Sequence, residues 1–161
     1  MVDLVNVDIS KIKQNIGSEL FIEQDESLDT IEDIKLTSPI SIKFHLVNIG
    51  ESIRLRGSLK VDVLLQCSRC LEDFNFKLNR DFKIDLYETI GEKTEDYGGE
   101  LQVEDIERIF YRQDNINLME QIREQIILSL PIKPICQESC QGFCSHCGVN
   151  LNKTICICND N

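Results

Sequence analysis

The sequence predicts an α+β fold in which a curved antiparallel sheet or open barrel carries one packed helix and a cysteine-rich C-terminal tail. Three observations lead there. Apolar and polar residues alternate through most of residues 40–87, the period-2 mark of half-buried strands. One stretch near 117–129 has helical spacing and stops at Pro131. All eight cysteines fall in two short windows, Cys67–Cys70 and Cys136–Cys158. The expected organisation is one domain over 1–161, with an N-terminal strand and loop region at 1–36, sheet plus helix at 37–130 and the tail at 131–161.

Residues 1–36 are weakly patterned. Val5, Val7, Ile9 and Ile12 suggest a strand followed by a short turn. Glu19, Glu23, Asp25, Glu26, Asp29, Glu32 and Asp33 are seven acids with no intervening base, which reads as a solvated loop. Pro39 then opens a strand. Ile40, Ile42, Phe44 and Leu46 alternate with Ser41, Lys43 and His45, so His45 falls on the polar face. Asn48–Glu51 has turn character. Ile53, Leu55, Leu59, Val61, Val63 and Leu65 share one parity of the next strand, with Gly57 marking an expected bulge or bend. Phe74, Phe76, Leu78, Phe82, Ile84 and Leu86 continue the alternation, which puts Cys67-Ser-Arg-Cys70 at a hairpin tip. Residues 91–105 read as a loop and 106–111 as a further strand. Asn117 and Glu120 have capping-box spacing, Leu118, Ile122 and Ile126 form one helical face, and Pro131 and Pro134 force an extended lead into the tail.

The N-terminus has no basic start and no long apolar run, and no segment approaches a membrane span. The expected compartment is the cytoplasm, where paired cysteines point to metal rather than disulfides. The sequon Asn152-Lys-Thr154 then carries no weight. A formal net charge of −11 argues against a protein that coats nucleic acid non-specifically.

Cys144-Ser-His-Cys147-Gly148 has the form of a zinc knuckle, in which two intervening residues let both sulfurs reach one ion. Cys156-Ile-Cys158 can close that site with two more thiolates. Cys67, Cys70, Cys136 and Cys140 then form a second set that staples the hairpin tip to the tail. This predicts two structural zinc ions and a zinc-knuckle, metal-binding tail at 131–161. Cys140 and Cys144 can exchange between sets, His146 can replace a sulfur, and an iron–sulfur cluster is a further alternative. A thiol redox reading of Cys67 and Cys70 lacks the helix that depresses a thiol pKa, since a strand pattern follows. No catalytic motif is present in the sequence, and no small-molecule substrate is expected.

Cys67-Ser-Arg-Cys70-Leu-Glu-Asp-Phe74 follows a strand, and Leu130-Pro-Ile-Lys-Pro-Ile-Cys136 leads to Cys140-Gln-Gly-Phe-Cys144-Ser-His-Cys147-Gly-Val-Asn-Leu-Asn152 and a terminal Cys-x-Cys. Together these resemble the YceD-like family of bacterial and plastid proteins linked to accumulation of large-subunit ribosomal RNA. The resemblance covers about Pro39 to Cys158, and Phe143 stands where the family pattern has Leu. It implies a non-enzymatic ribosome-biogenesis factor that acts with large-subunit rRNA or with ribosomal and assembly proteins. Arg54, Arg56 and Lys60 share a strand face and, with Arg69 at the tip, are candidate phosphate contacts. Exposed aromatics for base stacking are not evident in the sequence. The competing readings are a zinc-stabilised protein-interaction module without RNA contact and a thiol redox protein.

Overall fold

A computed structural model describes residues 5–89 and 107–158. The chain order is β1 (Asn6–Asp8), α1 (Ser10–Lys13), β2 (Glu19–Glu26), β3 (Thr30–Ile31), β4 (Ile34–Leu36), β5 (Ile40–Asn48), β6 (Ile53–Gln66), β7 (Asp73–Glu88), β8 (Glu107–Tyr111), β9 (Asn115–Asn117) and α2 (Met119–Leu128). Seven strands form a curled half-barrel sheet, and β1 and β9 pair separately.

The longest strands organise the sheet. β6 pairs antiparallel with β7 along its whole length, from Ile53↔Leu86 to Gln66↔Asp73. Its other edge is shared: β5 takes residues 53–60, and β4 takes Val63 and Leu64. β2 extends the sheet beyond β5. The strand expected near 106–111 is β8, which joins β7 in parallel. The loop expected over 91–105 lies outside the described residues.

The predicted alternation becomes the core. Ile40, Ile42, Leu46, Leu55, Val63, Ile84 and Leu86 are fully buried, and full burial of such a side chain contributes roughly 1.5–3 kcal/mol. α2 lays Leu118, Ile122 and Ile126 into the same cluster. Val5, Val7, Ile9 and Ile12 join it from the N-terminal end. There Asn48 Nδ2 donates to the carbonyls of Ile12 and Lys13, at 2.8 and 3.2 Å.

Three expectations change. The acidic stretch is not a loop over its first half, because β2 runs through it. Leu20 and Ile22 pack on the core while Glu19, Glu23 and Asp25 occupy the exposed parity. Gly57 forms no bulge, since pairing runs unbroken through Leu55↔Ile84, Gly57↔Phe82 and Leu59↔Arg80. The glycine is needed because Phe82 lies over it: an added Cβ would sit 2.3 Å from the ring. Asn117 ends β9 rather than occupying the cap position itself. Its Oδ1 still accepts from the Met119 N–H at 2.9 Å, while Glu120 turns forward to Arg123 instead of completing a capping box.

Candidate metal centres and the basic strip

Cys67 follows β6 without a break, and the chain must reverse within six residues to begin β7 at Asp73. Three backbone bonds shape the reversal. Cys67 N–H donates to Glu72 O at 2.9 Å, Leu71 N–H to Cys67 O at 2.9 Å, and Ser68 N–H to Pro134 O at 2.8 Å. Arg69 N–H points at Cys67 Sγ, 3.4 Å away. The tail repeats the pattern. Cys144 N–H donates to Val149 O at 2.8 Å, Gly148 N–H to Cys144 O at 2.9 Å, and His146 N–H points at Cys144 Sγ, also 3.4 Å away. Both turns place the residue after the second cysteine at positive φ, 69° for Gly148 and 55° for Leu71. Leu71 accepts a conformation that costs a side-chain-bearing residue about 1–2 kcal/mol.

The folded chain gathers the eight sulfurs into two sets of four, Cys67, Cys70, Cys136 and Cys140, and Cys144, Cys147, Cys156 and Cys158. Within each set the sulfurs all lie within 4.8 Å of one another. Cys67–Cys140 and Cys70–Cys136 are 3.8 and 3.7 Å apart, and Cys147–Cys156 and Cys144–Cys156 are 3.6 and 3.3 Å. A tetrahedral ion with metal–sulfur bonds of about 2.3 Å spaces its ligands by about 3.8 Å, whereas a disulfide requires about 2.05 Å. The donors therefore fit a soft metal ion, one per set. Neither set includes the His146 ring. The first set is buried around Cys67, Cys70 and Cys140, and the second is more open.

The electrostatics agree. Burial pushes the Cys67 thiol up, but backbone N–H groups of Cys136, Cys70 and Arg69 outweigh it and bring it down to about 6. N–H groups of Cys147 and His146 bring Cys144 to about 6. Burial, then the neighbouring sulfurs, push Cys136 up to about 12. Crowding by Cys147 and Cys156, then burial, does the same to Cys158. Each set thus ionises readily at one thiol and resists further charge at another. A bound cation removes that conflict, since metal ligation requires thiolates.

The two sets are fastened together. Asn152 Nδ2 approaches Cys140 Sγ at 3.4 Å and its Oδ1 accepts from Gln141 N–H at 2.8 Å. Lys153 Nζ meets Glu72 at 2.7 Å. Gly142, at φ 70°, comes so close to the knuckle that a Cβ would lie 2.9 Å from Arg69 O. Arg69 itself donates to Cys140 O at 2.9 Å. None of these cross-links is readable from cysteine spacing.

The candidate basic residues separate. Arg56 and Lys60 are exposed on the outer face of β6. Arg54 is committed to Asp85, its Nε and Nη2 both at 2.9 Å from the carboxylate. Arg69 lies at the opposite end of β6, beside the first cysteine set. The outer face also carries an aromatic that the sequence did not suggest. Phe21 is 69% exposed and stacks on His45 with ring centroids 4.2 Å apart and 6° between planes.

Among the described residues, no helix is long and apolar enough to cross a membrane. No solved structure matches the chain. A chloroplast protein of Arabidopsis thaliana, named large ribosomal RNA subunit accumulation protein YCED homolog 1, is 26% identical over 96% of this chain and 52% of its own length. The Zea mays protein of the same name is 24% identical over 75% of this chain and 49% of its own. An uncharacterized protein of Mycobacterium leprae is 24% identical over 73% and 52%. The chain spans about half the length of these relatives. The family model for the large ribosomal RNA subunit accumulation protein YceD matches residues 55–161, a span that holds all but the first two residues of β6, the whole of β7 and α2, and all eight cysteines. This chain belongs to the YceD family of large ribosomal RNA subunit accumulation proteins.

Proposed function

We propose that this protein is a non-enzymatic ribosome-biogenesis factor of the cytoplasm that supports accumulation of large-subunit rRNA, with two structural zinc ions. Family membership carries the reading, because the matched residues include both cysteine sets and the hairpin that joins them. Zinc is the metal that four thiolates in a closed tetrahedron suit best. With all eight cysteines assigned, neither set keeps an open ligand position of the kind catalytic zinc requires. The N-terminal region, the sheet with its helix and the metal-binding tail act as one domain on this reading. Its partners are large-subunit rRNA or the ribosomal and assembly proteins bound to it, and Arg56, Lys60 and Arg69 are the basic groups placed to meet phosphate.

The test is removal of the gene from its native host. Large-subunit rRNA should fall relative to small-subunit rRNA and recover with the wild-type gene. An unchanged ratio would sink the proposal. A protein-interaction module without RNA contact remains the second reading, favoured by Ile132, Ile155 and Ile157, which stand 101%, 89% and 94% exposed on the tail. That reading predicts that the purified, metal-loaded chain binds no RNA at low salt.

A further inference from the structure

The register of the outer sheet face places four side chains in one row. Phe21 on β2 lies opposite His45 on β5, His45 opposite Arg56 on β6, and Arg56 opposite Lys83 on β7. At about 4.8 Å per strand the row is about 14 Å long. Directly opposed like charges such as Arg56 and Lys83 destabilise a sheet. Among the described residues neither has an ion-pair partner. Such a pair calls for an anion.

The rest of the row supplies what a nucleotide needs beside its phosphate. One face of the Phe21 ring is covered by His45, and its 69% exposure leaves the other open. Glu19 holds the His45 ring through Nε2 at 3.0 Å, which steadies the stack from behind. A groove of about 890 Å³ runs past these residues, with Arg56 and Lys83 in its wall. Of the nearby acids, Glu23 pairs with Lys43 and Glu19 is hydrogen-bonded to His45. Asp81 stands one row away, opposite Ser58, so it borders the cationic pair without facing it.

We propose that the row Phe21–His45–Arg56–Lys83 binds single-stranded RNA, with a base stacked on the open face of Phe21 and a phosphate held between Arg56 and Lys83. This rests on the reading of the chain as a factor for large-subunit rRNA and names the form of RNA it takes. A base has a π-face whatever its sequence, so recognition is of an unpaired nucleotide rather than of a sequence. A duplex cannot offer that face, because its bases are stacked on each other.

The test uses the full, metal-loaded chain and a fluorescein-labelled oligoadenylate of about ten nucleotides, with a duplex of equal length beside it. Phe21→Ala should weaken single-strand binding by roughly five- to hundredfold. Arg56→Gln and Lys83→Gln should each weaken it and flatten the salt dependence by about 0.7 in the log–log slope. Phe21→Trp should keep the affinity. The chain has no tryptophan, so this variant also reports directly, with emission that drops as the base stacks. Unchanged thermal unfolding of the exposed-site variants shows that they are folded. Wild-type-like binding by Phe21→Ala and Arg56→Gln, a preference for duplex, or no binding by the wild type would each overturn the site. If these variants also restore rRNA in the deletion host, the site alone has fallen. If deletion never lowered rRNA, the functional reading has fallen instead.

Discussion

Gly57 faces Phe82 directly across β6 and β7, and the ring occupies the space of the missing side chain. Phe82 in turn meets Phe44 edge to face, with centroids 6.2 Å apart. Gly57→Ala should therefore overpack the sheet and lower unfolding free energy by about 1–3 kcal/mol, read from the denaturant midpoint. The loss should shrink when Phe82 is also changed to Leu, because neighbouring substitutions couple. A loss that simply adds would show the ring is not the obstacle. From the sequence, Gly57 read as a bulge or bend, since an isolated glycine in a strand can mark either of these or a close approach. Which one applies depends on the residue opposite, and opposition is a matter of register. Arg54 makes the same point. Its parity put it with Arg56 and Lys60, but only the pairing with β7 places buried Asp85 beneath it.

At the scale of elements, the long strands β5, β6 and β7 and the short strands β1 and β8 were legible, whereas β2, β3, β4 and β9 were not. β5, β6 and β7 alternate over nine or more residues, enough for period 2 to stand out. β1 and β9 have three residues each, and their pairing joins residues from opposite ends of the described chain, so β1 shows in the alternation of Val5, Val7 and Ile9 but its partner does not. β2 was hidden for another reason: its exposed parity is acidic, and the acids outweighed Leu20 and Ile22. The second cysteine turn was legible as a knuckle and the first as a two-residue-spaced pair at a hairpin tip, since their spacing alone permits these readings. Their roles differ, however. The first set joins segments about seventy residues apart, and the second closes within the tail. Cys67→Ser should reduce bound metal from two ions per chain to one and release the tail from the hairpin tip. Cys158→Ser should also remove one ion but leave the thermal stability of the sheet close to wild type. Elemental analysis with thermal unfolding checks both; equal destabilisation by the two variants would contradict this division.

At the scale of the whole molecule, two apolar clusters among the described residues divide the work. The large one joins the sheet to both helices, and a small one surrounds Cys67, Cys70 and Cys140 with Phe74 and Cys136. Stripping the metal with a chelator should thus free amides of residues 131–158 to exchange hydrogen, while those of Ile42, Leu55 and Ile84 stay protected. Global loss of protection would instead make the metal a condition of folding, as in small zinc domains. The sequence by itself determined the antiparallel sheet, the packed helix, the hairpin tip at Cys67 and a supply of thiols sufficient for two tetrahedral sites. Those features depend on local periodicity and spacing, which one chain displays in full. Only the tertiary structure decided that Arg54 is bound to Asp85, that β8 runs parallel to β7, and that Phe21 stands beside His45, Arg56 and Lys83. Each of these joins residues far apart in sequence, and a one-residue slip in strand pairing would turn such side chains to the opposite face.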